Sequence, residues 1–219
     1  MVEKNQKYVF LYALIITFVI FNFGIFMGYK LESSRVDKID EMYIEAELDL
    51  LDQRIQREAF EIVGLDCEDS IQANIDFADK IFNEAQKIKK FENANRMNSE
   101  ILFQHKRFDL LRTLFWMNSI KIKEKCGADY SNVVYFYEYD NPSLEQKAEQ
   151  SFFSNLLVEL KEKHGSKIML IPIAGDESIP SINLLMKKYE IEELPVILID
   201  EKTKINEVND KEDIEKYLK

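Results

Sequence analysis

The hydrophobic pattern begins with an uncharged run, residues 8–29, held between Lys7 and Lys30. At 1.5 Å per residue a helix of that length reaches about 33 Å, enough to cross the hydrocarbon core of a bilayer. A soluble core helix of this length would show a polar face, and a cleaved signal peptide would have a shorter apolar stretch. No A-x-A-like cleavage site follows Met27. The run is therefore read as an uncleaved single-pass anchor, with the buried helix and the signal peptide as the alternatives. Gly24 and Gly28 stand in a G-x-x-x-G spacing that lets two helices approach closely, although lipid-facing glycines have the same spacing by chance.

After a short polar link over residues 31–40, apolar residues fall on Ile44, Leu48, Leu51, Ile55 and Ile62. These are the spacings of a coiled-coil seam, interrupted by Glu58 and ending near Gly64. Partner helices of the same chain would cover such a stripe equally well. A second helix is predicted from residues 66–69, whose acids suit a helix N-terminus, with a stripe of Ile71, Ile75, Ala78, Phe82, Ala85 and Ile88. Residues 93–98 read as a polar turn. A third helix then carries Ile101, Phe108, Leu111, Phe115 and Ile122 on one face and stops by Gly127. The simplest packing is an antiparallel hairpin on the first helix.

From Tyr130 the texture changes. Residues 133–139 (V-V-Y-F-Y-E-Y) have the β-branched and aromatic content of a buried strand. Pro142 and Ser143 open a helix, with Gln146 placed to complete a capping box, and that helix ends at His164-Gly165. A strand over residues 167–174, a helix over 180–189, a strand entered through Pro195, a short strand near 205–208 and a last helix over 210–218 follow. The order is β-α-β-α-β-β-α.

Residues 189–200 read Y-E-I-E-E-L-P-V-I-L-I-D: a helix end, a polar link, and a proline opening an apolar strand. A proline there is tolerated at a sheet edge or at a special, often cis, turn. With the element order above, this segment resembles the thioredoxin-like superfamily over the last 90 or so residues. The resemblance implies a thioredoxin-like α/β domain and a loop, Leu194-Pro195-Val196, whose backbone pairs with an extended peptide. The chain departs from the family where chemistry is concerned. The junction of the first strand and its helix, Tyr139 to Gln146, holds no cysteine, so the C-x-x-C dithiol is missing.

The fold class is thus α+β: a transmembrane helix (1–30), a helical hairpin or bundle (31–128) and a thioredoxin-like domain (129–219). The net charge of −11 is concentrated outside the anchor, which argues against nucleic-acid partners. The two cysteines, Cys67 and Cys126, sit at the start of the second helix and the end of the third, so an antiparallel hairpin brings them together. A structural disulfide is the favoured reading, and two buried free thiols are the alternative. Neither His105, inside an apolar stripe, nor His164, at a helix end, has a second histidine or a cysteine at ligand spacing, so no metal and no cofactor is expected. Ser143 reads as a cap rather than a nucleophile, and Trp116 as core.

No catalytic residue is assigned. The functional expectation is a binding or scaffold module at the cell membrane, its C-terminal domain outside the cytoplasm and a peptide or protein as partner. Two further readings stay open: a thiol oxidoreductase or redox sensor using Cys67 and Cys126, and a structural protein that forms homo-oligomers.

Overall fold

The computed structural model describes the backbone of residues 3–95 and 99–218, and their side chains except at 3–7, 31–43, 46, 87–95, 99–101 and 104. The expected contributions of Ile88 and Ile101, and part of the turn at 93–98, lie outside the described residues. The chain divides into two units, Met1–Glu45 and Ala46–Lys219.

Helix α1 (Glu3–Ile62) runs through the segment expected to be a link. Residues 31–40 contain neither glycine nor proline, so nothing in them breaks a helix. Within the first unit, residues Tyr8–Lys30 are long and apolar enough to cross a membrane and are exposed throughout. Their polar side chains bond back to the helix, Thr17 Oγ1 donating to Ala13 O (2.9 Å) and Asn22 Nδ2 to Phe18 O (2.7 Å). A span in hydrocarbon needs its polar groups satisfied in this way.

In the second unit, the end of α1 meets α2 (Cys67–Asn95) and α3 (Ser99–Cys126) through polar side chains. Gln53 is buried and accepts from Asn118 Nδ2 through both its carbonyl and its side chain, each at 3.2 Å. Asp49 accepts from Lys80 (2.8 Å), and Glu47 and Glu61 pair with Arg107 and Lys121 of α3. The apolar seam faces the other way. Leu48, Leu51, Ile55 and Ile62 are all exposed, so among the described residues no helix covers them.

Helix α2 also differs from its expected stripe. Its buried line is Ser70, Asn74, Phe77, Ala78 and Ile81, while Ile71, Ile75 and Phe82 are half-buried. The rotation has a polar cause, because Asn74 Nδ2 reaches the buried hydroxyl of Tyr130 (3.2 Å), which itself donates to Ser119 O (2.8 Å). Burial pushes the Tyr130 hydroxyl up to about 12. Helix α3 is buried on two faces, with Phe108, Leu111, Phe115 and Trp116 in the core, and Gly64 and Gly127 close α1 and α3 at φ 74° and 66°, where a glycine carries no Cβ penalty. The sulfurs of Cys67 and Cys126 stand at bonding distance, their Cα atoms 5.4 Å apart, as the antiparallel hairpin requires.

Strands β1 (Ser131–Tyr137), β2 (Ile168–Ala174), β3 (Val196–Ile199) and β4 (Thr203–Ile205) form one sheet in the order β2-β1-β3-β4. β1 is parallel to β2, and the other pairs are antiparallel. Helix α4 (Leu144–His164) links β1 to β2, with the Ser143–Gln146 capping box formed. Helix α5 (Pro180–Lys188) follows β2, and α6 (Glu212–Glu215) is short.

Alternation along the strands splits the core in two. Val133, Tyr135, Leu170, Ile197 and Ile199 pack with Phe153, Leu157 and Leu160 of α4 and with Ile214. On the other face Trp116 of α3 meets Phe136 edge-on at 6.0 Å and Tyr189 at 5.4 Å.

The β3–β4 hairpin turns at Asp200 and Glu201, both at positive φ (49° and 58°), the conformation of a two-residue hairpin turn that asparagine and glycine usually fill. Side chains secure it instead. Asp200 Oδ1 accepts from Lys123 Nζ (2.5 Å) and from the backbone N–H of Asn132 (2.8 Å), and Glu201 Oε1 accepts from Trp116 Nε1 (2.6 Å) and Asn132 Nδ2 (3.1 Å).

Two outcomes follow from this packing. The Cys67–Cys126 bond closes a loop with a sequence separation of 59. Replacing both cysteines by serine is expected to lower stability by about 4 kcal/mol on chain-entropy grounds, measured by urea unfolding of the detergent-solubilised chain. Burial raises the Glu201 carboxyl above its ordinary range, against the lowering effect of its hydrogen bonds from Trp116 and Asn132. The folded state thus holds that proton more tightly than the unfolded chain, and stability falls as pH rises between the two pKa values. Glu201→Gln keeps the acceptor oxygen and removes the charge. It is expected to raise the unfolding midpoint at pH 7 and to change it little near pH 4.

Candidate functional site

Polar groups concentrate at the C-terminal end of β1. The register pairs Tyr137 with Ala174 of β2 and Phe136 with Val196 of β3, so the β1–α4 junction, the β2–α5 loop and the chain entering β3 share one end of the sheet. Strand β1 stops two residues earlier than its composition suggests. The backbone N–H groups of Tyr139 and Asp140 donate to the two carboxylate oxygens of Asp176 (2.9 and 2.7 Å) instead of to a strand partner. Leu194 presses on the β2–α5 loop from the third side: a Cβ built on Gly175 would lie 2.9 Å from Leu194 Cδ1, so a larger residue there would have to displace the Leu194 side chain.

Helix α3 brings a fourth element. Asp109 is 0% exposed, and its Oδ2 accepts from the backbone N–H of Ala174 (3.0 Å) while Oδ1 accepts from buried Arg112 (2.9 Å). Arg112 also lies over the Phe108 ring at 4.2 Å. One turn back, His105 stacks on Tyr139 with centroids 3.7 Å apart. Its Nε2 is 2.9 Å from the Tyr137 hydroxyl, and its Nδ1 is 3.0 Å from Glu177 Oε1 and 3.4 Å from Asp109 Oδ2. Glu177 belongs to the β2–α5 loop and is aimed inward by a chain whose next residue, Ser178, has φ 56°. Its second oxygen, Oε2, is buried without a hydrogen-bond partner. The result is a buried array of one imidazole, two carboxylates and one guanidinium, with the hydroxyl of half-buried Tyr137 at its rim.

The residues singled out from sequence are distributed differently. Leu194 is half-buried, and Pro195, after a cis Leu194–Pro195 bond, and Val196 are buried, so the accessible part of that loop is Glu192, Glu193 and the edge of Leu194. Cys67 and Cys126 lie elsewhere. Cys126 precedes β1, and His105 is 21 positions back along α3, about 30 Å of helix. Trp116 is wholly buried, and Ser143 is the cap of α4.

The His105 array was absent from the sequence reading. Its local part was visible as H-x-x-x-D-x-x-R, which puts His105, Asp109 and Arg112 on one helical face. Glu177 arrives from 72 positions away. Compared with protein-family models, with curated proteins and with solved structures, the chain has no match.

Proposed function

We propose that the chain is a membrane-anchored binding module built on a thioredoxin-like domain without the reactive dithiol, which holds an extended peptide or protein segment beside the Leu194–Val196 loop. The observation that carries this reading is the convergence at one end of the sheet: the chain entering β3 lies next to the end of β1, where Tyr139 to Gln146 stand in place of a C-x-x-C. The strand order β2-β1-β3-β4, with helices linking β1 to β2 and β2 to β3, supports the resemblance. A paired Cys67 and Cys126 supports a location outside the cytoplasm, where disulfides persist. The half-buried edge of Leu194 offers a partner strand an apolar contact, and the neighbouring Glu192 and Glu193 are exposed.

The reading is tested by selecting peptides from a random-sequence library on the full chain in lipid nanodiscs. Selected peptides are expected to bind Leu194→Lys at least ten-fold more weakly than the wild type, with far-UV circular dichroism unchanged. Equal binding to the variant, or no peptide enriched over empty nanodiscs, overturns it.

A second reading rests on the exposed heptad stripe of Leu48, Leu51, Ile55 and Ile62. Such a stripe is the seam of a parallel helix pair, and two copies anchored in one membrane would present it in the same direction. Cysteine placed at Leu51 in a Cys67→Ser/Cys126→Ser background is expected to crosslink copies in membranes, whereas cysteine at Arg57, off the seam, is not.

A further inference from the structure

We propose that His105, Asp109 and Glu177 bind a divalent first-row metal ion of the Zn2+ or Mn2+ kind, which ties helix α3 to the β2–α5 loop. One ligand atom from each of the three residues lies within 4.8 Å of the others, and all three side chains are buried. The measured separations of 3.0 Å from His105 Nδ1 to Glu177 Oε1 and 3.4 Å to Asp109 Oδ2 suit such an ion. Metal bonds of about 2.0–2.2 Å at tetrahedral or octahedral angles put neighbouring donors about 3.0–3.5 Å apart.

Two features distinguish this arrangement from a buried ion-pair network. The first is charge. Two buried carboxylates, Asp109 and Glu177, face one guanidinium, Arg112, so a further positive charge is favoured there. A proton on His105 Nδ1 supplies one, facing Glu177 Oε1 at 3.0 Å and Asp109 Oδ2 at 3.4 Å, but it does not reach the second oxygen of Glu177. Glu177 Oε2 remains buried without a partner, and an oxygen in that position is a donor that a metal ion takes up. The second feature is the set of groups behind the ligands. His105 Nε2, the nitrogen facing away from the carboxylates, lies 2.9 Å from the Tyr137 hydroxyl, a hydrogen-bond partner behind the ring of the kind that orients a metal-ligating imidazole. Asp109 is held from behind by Arg112 and by the Ala174 N–H, and each of its oxygens keeps a lone pair.

The donor chemistry narrows the ion. One imidazole and two carboxylates, with no thiolate, lie between the sets preferred by Zn2+ and by Mn2+ and exclude a soft ion such as Cu(I). With two ligand residues on α3 and one on the β2–α5 loop, the ion joins the two elements. It locks the end of β2 and the loop after it onto α3, beside the surface discussed above but independent of whether that surface binds a peptide.

The full chain, purified in detergent and stripped with chelator, is dialysed against Zn2+ or Mn2+ and its metal content measured. About one equivalent of one of these ions is expected, with affinity at least ten-fold lower in Glu177→Gln, which keeps the side-chain shape, and about 10–100-fold lower in Tyr137→Phe. The chain has two histidines, so selective 15N labelling gives two rings to follow. Metal is expected to move the His105 ring nitrogens and leave those of His164 in place, and this readout needs no variant. Failure to take up either ion, uptake undiminished in Glu177→Gln, or an unmoved His105 ring overturns the proposal.

Discussion

A carboxylate with no exposure to solvent must be matched where it lies, and Asp109 is matched by groups from two elements that have to be in place together. The Ala174 N–H at the end of β2 and the Arg112 guanidinium one helical turn along α3 both donate to it. Losing the guanidinium would leave a buried charge unpaired and losing the N–H would remove a hydrogen bond to that charge, so the helix and the strand end are held to one relative position. Much of the second unit follows from that position. It sets where Trp116 crosses the sheet, where His105 meets Tyr137 and Tyr139, and how the β2–α5 loop turns back onto the helix.

The same logic recurs at smaller scale. Ser119 donates to the Asn132 side chain (2.5 Å), and Asn132 in turn reaches Glu201. Lys161 is buried and donates to the carbonyls of Gly165 and Ile168, both at 2.9 Å, where α4 gives way to β2, while pairing with Asp79 of α2. Apolar burial brings helices and sheet together, but it is non-directional. The polar contacts at the seams choose one docking among the many that would bury similar area.

That division explains what could be read from the sequence. The N-terminal helix, long and apolar enough to cross a membrane, was legible because such a stretch is defined by the absence of charge, and the α4 start because Ser143 and Gln146 form a local motif. The hairpin ends were legible because Cys67 and Cys126 bracket two helices of similar length. Where burial is polar, pattern reading failed. Asn74 and Ser70 lie on the buried line of α2, which shifts that line away from Ile71 and Ile75. The end of β1 was misplaced because Asp176, from another loop, takes the hydrogen bonds of Tyr139 and Asp140. His105 looked like a polar interruption in an apolar stripe, since Tyr137 and Glu177 come from distant parts of the chain. The heptad stripe of α1 was correctly periodic, yet the helix turns its polar side to α2 and α3.

The bond between Cys67 and Cys126 also sets how the chain carries tension. A pull between α1 and the C-terminus would pass to Cys67, cross to Cys126, and enter β1 directly. Once the contacts of α1 with α2 and α3 have opened, the residues between the cysteines would bear no load, and the longest reach of the stretched molecule would be shorter by about 200 Å for the 59 positions bypassed. Reduction of that single bond would convert a short, stiff tether into a long, compliant one.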